Sequence, residues 1–238
     1  MGSTTSWTRT ASGDPASERL TSIFCELCNL SVSDDGVTFN ADSVIAERKR
    51  PDDEYQGVRV ELNALLAGAR LLIQVDIGFG DVVIPEARFI SYPSLLDFPE
   101  PKLRAYTPET VVAEKLEALV SLGIRNSRRK DFFDLWVMAQ TFAFDGAILA
   151  EAIRATFARR RTPIAVETPV AFMPDFANDA SKQSQWRAFL KRTRLVMAPE
   201  PLPDVLAFVA GFAMPVLVAV RDGSPFAKKW PAGGGWSW

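Results

Sequence analysis

The stretch GVRVELNALLAGARLLIQVDIGFGD, residues 57–81, restricts the chain most sharply. Val58, Val60 and Leu62 alternate with Arg59, Glu61 and Asn63, the period of a half-buried strand. Ala67, Gly68 and Ala69 turn the chain. Leu71, Ile73, Val75 and Ile77 then share one face, and Leu72, Gln74 and Asp76 share the other. A helix would scatter these positions around its circumference, so the pattern predicts an antiparallel hairpin with one apolar face.

The residues around this hairpin extend a sheet. GVTFN, residues 36–40, is a further strand, and DSVIAER, residues 42–48, is its expected partner. In ERLTSIFCELCNL, Leu20, Ile23, Phe24, Leu27 and Leu30 recur at helical spacing. Asp14 and Pro15 supply a cap and a first helical residue. Residues 1–16 are rich in Ser, Thr and Gly without any period, and are expected to be disordered.

From residue 101 the pattern becomes helical. In TPETVVAEKLEALVSLG, Thr107 stands as cap, Pro108 opens the helix, Gly123 stops it, and Val112, Leu116 and Leu119 form a core stripe. NSRRKDFFDL opens another helix, capped by Asn126 or Ser127 and running to about Phe142, with Phe132, Leu135, Trp136 and Ala139 inward. DGAILAEAIRATFARR follows with Ile148, Ala152, Ile153 and Phe157 inward and ends in the basic run Arg159–Thr162. In SKQSQWRAFLKRTRL, Trp186, Phe189 and Leu190 face inward, and Lys182, Arg187, Lys191, Arg192 and Arg194 outward. VLAFVAGFAMPVLVAV, residues 205–220, is short for a membrane span and contains Pro215, which predicts a buried helix kinked there. The tail KKWPAGGGWSW is expected to be flexible, with one ring free to pack back. The reading is therefore α+β: a partial α/β core over 17–100, a helical domain over 101–225 and a flexible tail over 226–238.

Composition excludes several chemistries. Net charge is −2 and the pI about 5.4, so no global basic field draws the chain to nucleic acid or an anionic membrane. The chain has no histidine, hence no Ser-His-Asp triad, no Cys-His pair and no imidazole metal ligand. A metal would be held by carboxylates, which favours Mg²⁺ or Mn²⁺. The two cysteines, Cys25 and Cys28, lie on the first helix and read as buried, inert thiols rather than half a zinc site. Together these features predict a cytoplasmic, reducing location.

Several residues carry two readings. Asp76 is either a metal-holding carboxylate at a strand end or an ordinary strand-end Asp before a turn. Lys115, on the flank of the core stripe, either snorkels to solvent or aims its ammonium at a phosphate. Asp131 and Asp134, three apart, share a helix face and stand either as a solvated helix start or as one wall of a site. The run Arg159–Thr162 suits a helix C-terminus and also suits RNA phosphates.

YQGVRVELNALLAGARLLIQVDIGFGD, AYTPETVVAEKLEAL and NSRRKDFFDL, in this order, resemble the AbiEii/AbiGii nucleotidyltransferase toxin family, toxins of type IV toxin–antitoxin systems. The resemblance implies a polymerase-β-like nucleotidyltransferase sheet with a helical C-terminal part. It also implies transfer of a nucleotide from an NTP to an acceptor such as tRNA with Mg²⁺, and an antitoxin partner. By this resemblance Asp76 stands near the metals, and Lys115 contacts the NTP phosphates. Arg128, Lys130, Asp131 and Asp134 match the RxKDxxD motif: Arg128 and Lys130 join nucleotide binding, Asp131 orients Lys115 or activates the acceptor, and Asp134 supports it.

One motif departs from the family pattern. A strand carrying D-x-D, which holds both catalytic metals in the family, should precede GDPASERL. The residues there read MGSTTSWTRTAS. The expectation is a truncated or frame-shifted member with an incomplete sheet, an open sheet edge and impaired transfer. The alternative is a non-catalytic remnant that binds antitoxin, nucleotide or RNA.

Overall fold

The computed structural model describes residues 15–49, 57–94, 97–123, 129–164, 166–194, 198–199 and 201–238. Residues 1–14 of the segment expected to be disordered, the Asp14 cap, the Asn126 and Ser127 caps and Arg128 fall outside these residues, whereas residues 15 and 16 open the first helix. The chain is α+β and divides into two compact units, Met1–Gly80 and Asp81–Trp238.

In the first unit helix α1, Pro15–Cys28, lies against a three-stranded antiparallel sheet of β1, Val37–Lys49, β2, Gly57–Leu66, and β3, Ala69–Gly78, in that order. The hairpin follows the sequence pattern. Val58, Val60, Leu62 and Ala64 are buried, and Leu20 and Phe24 of α1 pack on that cluster with Ile73, Val75 and Ile77. Ala67 and Gly68 both adopt positive φ, the backbone a two-residue hairpin turn requires. Among the described residues no strand pairs with the outer edge of β3, where Leu72 is 67% exposed.

Two expectations are corrected here. GVTFN and DSVIAER are not partners but one strand, because the single residue between them is too short to reverse the chain. The ladder to β2 slips between Asn40 and Ile45. Ser43 fills the gap: its Oγ accepts from the Asn63 N–H at 2.8 Å and donates to the Asn40 carbonyl at 2.6 Å. Cys25 and Cys28 are half-buried rather than buried. Burial and the neighbouring Cys25 still push the Cys28 thiol up, which disfavours the reactive thiolate.

The second unit begins with the hairpin of β4, Arg88–Ser91, and β5, Lys102–Ala105. It continues through α2, Pro108–Leu122, α3, Arg129–Thr141, and the short β6, Phe144–Asp145. Helices α4, Gly146–Arg159, α5, Pro174–Asn178, α6, Ala180–Thr193, and α7, Leu202–Arg221, precede β7, Lys229–Trp230. By length and composition α7 is the one helix among the described residues apolar enough to cross a membrane. Its Val205, Val209, Phe212, Ala213 and Val216 are fully buried and form the centre of the unit's core with Leu116, Leu119, Phe132, Leu135 and Ile153. In α4 the inward set is Leu149, Ala152, Ile153 and Phe157. Of the expected inward set, Ala152, Ile153 and Phe157 are buried, and Ile148 is 37% exposed in the first turn, where its N–H bonds the Asp145 cap.

The tail, expected to be flexible, is built into this core. Strand β7 pairs antiparallel with β6, and Trp230 is 3% exposed. The indole N–H of Trp230 donates to the Ala139 carbonyl at 2.8 Å, and that of Trp236 to the Phe212 carbonyl at 2.8 Å. Trp236 stacks on Phe212, and Lys229 pairs with Asp145. A glycine-rich segment reads locally as a linker, but apolar rings that find a cavity outweigh the entropy of ordering a few residues.

Candidate functional site

Helices α2 and α3 bring three of the predicted site residues together. Lys115 leaves α2 beside the buried stripe of Val112, Leu116 and Leu119, so its stem is covered and its head emerges at the helix flank. Asp131 and Asp134, one turn apart on α3, face it, because Phe132, Leu135 and Trp136 fix the opposite side of α3 in the core. The Lys115 ammonium donates to Asp134 Oδ2 at 2.5 Å and to Asp131 Oδ1 at 3.2 Å. The three side chains are only 21%, 22% and 13% exposed, in the order Lys115, Asp134, Asp131. Burial pulls the Lys115 pKa down, but the hydrogen bonds and charges of Asp134 and Asp131 outweigh it, and the ammonium is held above its ordinary range. An ammonium carries three N–H donors. Two are used here, and the third is available to a ligand.

Lys130 is exposed at the start of α3. Asp76 stands on β3 in the first unit, directly opposite Arg59 of β2. The Arg59 guanidinium grips it with Nε to Oδ1 at 2.7 Å and Nη2 to Oδ2 at 3.1 Å. Among the described residues no group of three or more carboxylate or cysteine side chains converges to hold a metal ion.

A second polar network on the neighbouring face of α2 was not singled out by the sequence reading. Glu117 is 4% exposed, and it accepts from Arg160 Nη1 at 2.7 Å and from Thr162 Oγ1 at 2.6 Å. Arg160 also reaches Glu114 at 3.5 Å. The run Arg159–Thr162, which suits either a helix C-terminus or RNA phosphates by sequence, turns Arg160 and Thr162 inward onto α2. The available signal was the i, i+3 spacing of Glu114 and Glu117, but pairing them with residue 160 requires knowing that α4 lies along α2. Thr107 and Thr110 are also buried. Thr107 occupies the cap position but makes no side-chain cap; instead Thr110 exchanges hydrogen bonds with the Ile84 backbone, donating and accepting at 2.9 Å.

Burial and then the Asp81 carboxylate raise the Glu114 carboxyl above its ordinary value, against the pull of Arg160 and Lys115. The folded state therefore holds that proton more tightly than the unfolded chain does. Stability from this group is full below the ordinary glutamate pKa of about 4.3 and is lost as pH rises through the raised value. Glu114→Gln is accordingly expected to raise the midpoint of thermal unfolding at pH 7 and to leave it unchanged near pH 4. A lower midpoint at pH 7 would mean that the Arg160 contact outweighs burial.

Beside this face lies a cavity of about 460 Å³ lined by Val83, Glu86, Ala87, Arg104 and Tyr106. The Tyr106 hydroxyl donates to Asp81 Oδ2 at 3.3 Å.

No curated protein and no solved structure matches the chain. A family model described as the AbiEii nucleotidyl transferase toxin of type IV toxin–antitoxin systems matches residues 4–210. That span covers the hairpin, the Lys115 helix and the Asp131–Asp134 helix. The chain belongs to the AbiEii nucleotidyltransferase toxin family of type IV toxin–antitoxin systems.

Proposed function

We propose that this chain, in the cytoplasm, binds the phosphates of an NTP through Lys115 and transfers its nucleotide to RNA, with tRNA as the acceptor class, on a polymerase-β-like sheet. The observation that carries this reading is the Lys115–Asp131–Asp134 cluster. Two carboxylates on a rigid helix fix the ammonium, and its third N–H serves a phosphate oxygen without any further rearrangement. Asp131 is the positioning residue nearer the core; Asp134 completes the clamp. The resemblance gives Arg128 and Lys130 of the same motif a part in nucleotide binding.

Nucleotidyltransferases generally use a divalent metal with NTP, here Mg²⁺ or Mn²⁺, and the resemblance points to Asp76 as one ligand. A second reading, a non-catalytic chain that retains nucleotide or antitoxin binding, is favoured by the Arg59 grip on both oxygens of Asp76, the carboxylate that the resemblance assigns to the metal.

Label transfer from each α-labelled NTP to total tRNA in Mg²⁺, beside equilibrium dialysis of the same NTPs, separates these readings. Lys115→Ala is expected to cut transfer by about 10²-fold, the scale for losing one charged contact to the reacting phosphates. NTP binding that depends on Lys115 without any transfer would establish the second reading. Transfer or binding indifferent to Lys115 would remove the site assignment altogether.

A further inference from the structure

The hairpin β4–β5 is exposed on a surface that neither the fold nor the Lys115 cluster uses. Phe89 is 76% exposed and stands directly opposite Arg104, and Ser91 stands opposite Lys102 on the same face. Arg88, Lys102 and Arg104 are all exposed. Among the described residues they form no ion pair, whereas Arg59, Lys115, Arg160, Arg221 and Lys229 are each paired with a carboxylate. Arg104 continues into the wall of the 460 Å³ cavity, with Tyr106 beside it and Glu86 as the carboxylate of that lining.

An aromatic face open to solvent next to unneutralised cations is the arrangement that binds single-stranded nucleic acid. Bases stack on the ring, and the cations follow the phosphates. The centre of a protein-docking surface is depleted of lysine, whereas here Lys102 stands beside Arg104 on the face that carries Phe89. We infer that β4–β5 is a platform for single-stranded RNA. One base stacks on Phe89, Lys102 and Arg104 contact the adjoining phosphates, and a neighbouring base enters the cavity beside Tyr106 with its polar edge toward Glu86. This inference rests on the RNA-directed reading above and supplies the surface that would hold the acceptor strand.

The test is fluorescence anisotropy of a labelled mixed-sequence RNA of about twelve nucleotides, a length within the range one such surface covers. Phe89→Ala is expected to weaken binding about 10-fold while leaving the thermal unfolding midpoint unchanged, since the ring is exposed. Lys102→Gln with Arg104→Gln is expected to reduce the slope of log K against log salt by about 1.4, or 0.7 for each lost phosphate contact. The same sequence as a duplex is expected to bind less well, because its bases are already stacked. No measurable RNA binding, equal binding of strand and duplex, or indifference to Phe89→Ala would each overturn the inference. Nucleotide transfer is measured on the same wild-type preparation, so a failure of transfer with RNA binding preserved would count against the proposed reaction and not against the platform.

Discussion

Glu117→Ala is expected to destabilise the second unit by about 3–5 kcal/mol, the cost of removing one partner from a buried ion pair. The carboxylate is 6% exposed and bonds both Arg160 and Thr162. Its removal leaves the Arg160 guanidinium, itself only 24% exposed, without its shorter carboxylate contact at 2.7 Å. The replacement also opens space at a position surrounded by α2 and α4. A double variant, Glu117→Ala with Arg160→Leu, should recover part of the loss, because the unpaired Arg160 guanidinium is gone, and the recovery is incomplete because Glu114 then loses its 3.5 Å contact with Arg160. Urea unfolding of the two single variants and the double variant measures the coupling. A loss below about 1 kcal/mol for Glu117→Ala would show that water reaches the pair and that it behaves as a surface contact.

Trp230→Ala is expected to cost a similar amount, about 3–5 kcal/mol for a buried large aromatic truncated to alanine. Trp230 packs edge-to-face on Phe212 and Phe208, with centroids 4.9 and 5.8 Å away. It also covers the Ala139 carbonyl, which loses its indole donor in the variant. Trp236 lies 5.5 Å from the same ring, so its stacking on Phe212 should loosen as well. Trp238 is 90% exposed and provides the control. Trp238→Ala should leave the urea midpoint unchanged. Equal midpoints for Trp230→Ala and the wild type would mean that the tail does not contribute to the core.

These two variants mark different limits of sequence reading. The hairpin was legible because alternation of Val58, Val60 and Leu62 with Arg59, Glu61 and Asn63 is a local code, and each strand carries its own face assignment. The α2 stripe and the inward set of α3 were legible for the same reason, with Val112, Leu116, Phe132 and Leu135 all fully buried. The face shared by Asp131 and Asp134 followed from their three-residue spacing. The inward face of α4 was legible at Ala152, Ile153 and Phe157 and departs only in the first turn, where Leu149 rather than Ile148 is buried. GVTFN and DSVIAER form one strand although Asn40, Asp42 and Ser43 are residue types that favour turns. In the structure those side chains bond within the sheet and bridge a slip in register.

Motif resemblance named the family and its lysine and aspartates, but the clamp on Lys115 depends on how two helices meet. Periodicity states which face of a helix is buried. It does not state which other helix covers that face, because contact between residues 115 and 134 or 117 and 160 is set by long-range packing rather than by near neighbours in the chain. The tail shows the same division. Its glycines describe a chain that can bend freely, and nothing local reveals that Phe212, Phe144 and Ala139 leave a slot of the right shape for indole rings. Element type and inward face thus follow from short-range sterics and alternating hydrophobicity. The pairing of charges and the docking of the last strand follow from the three-dimensional core, where burial makes each unpaired polar group costly enough to select a single partner.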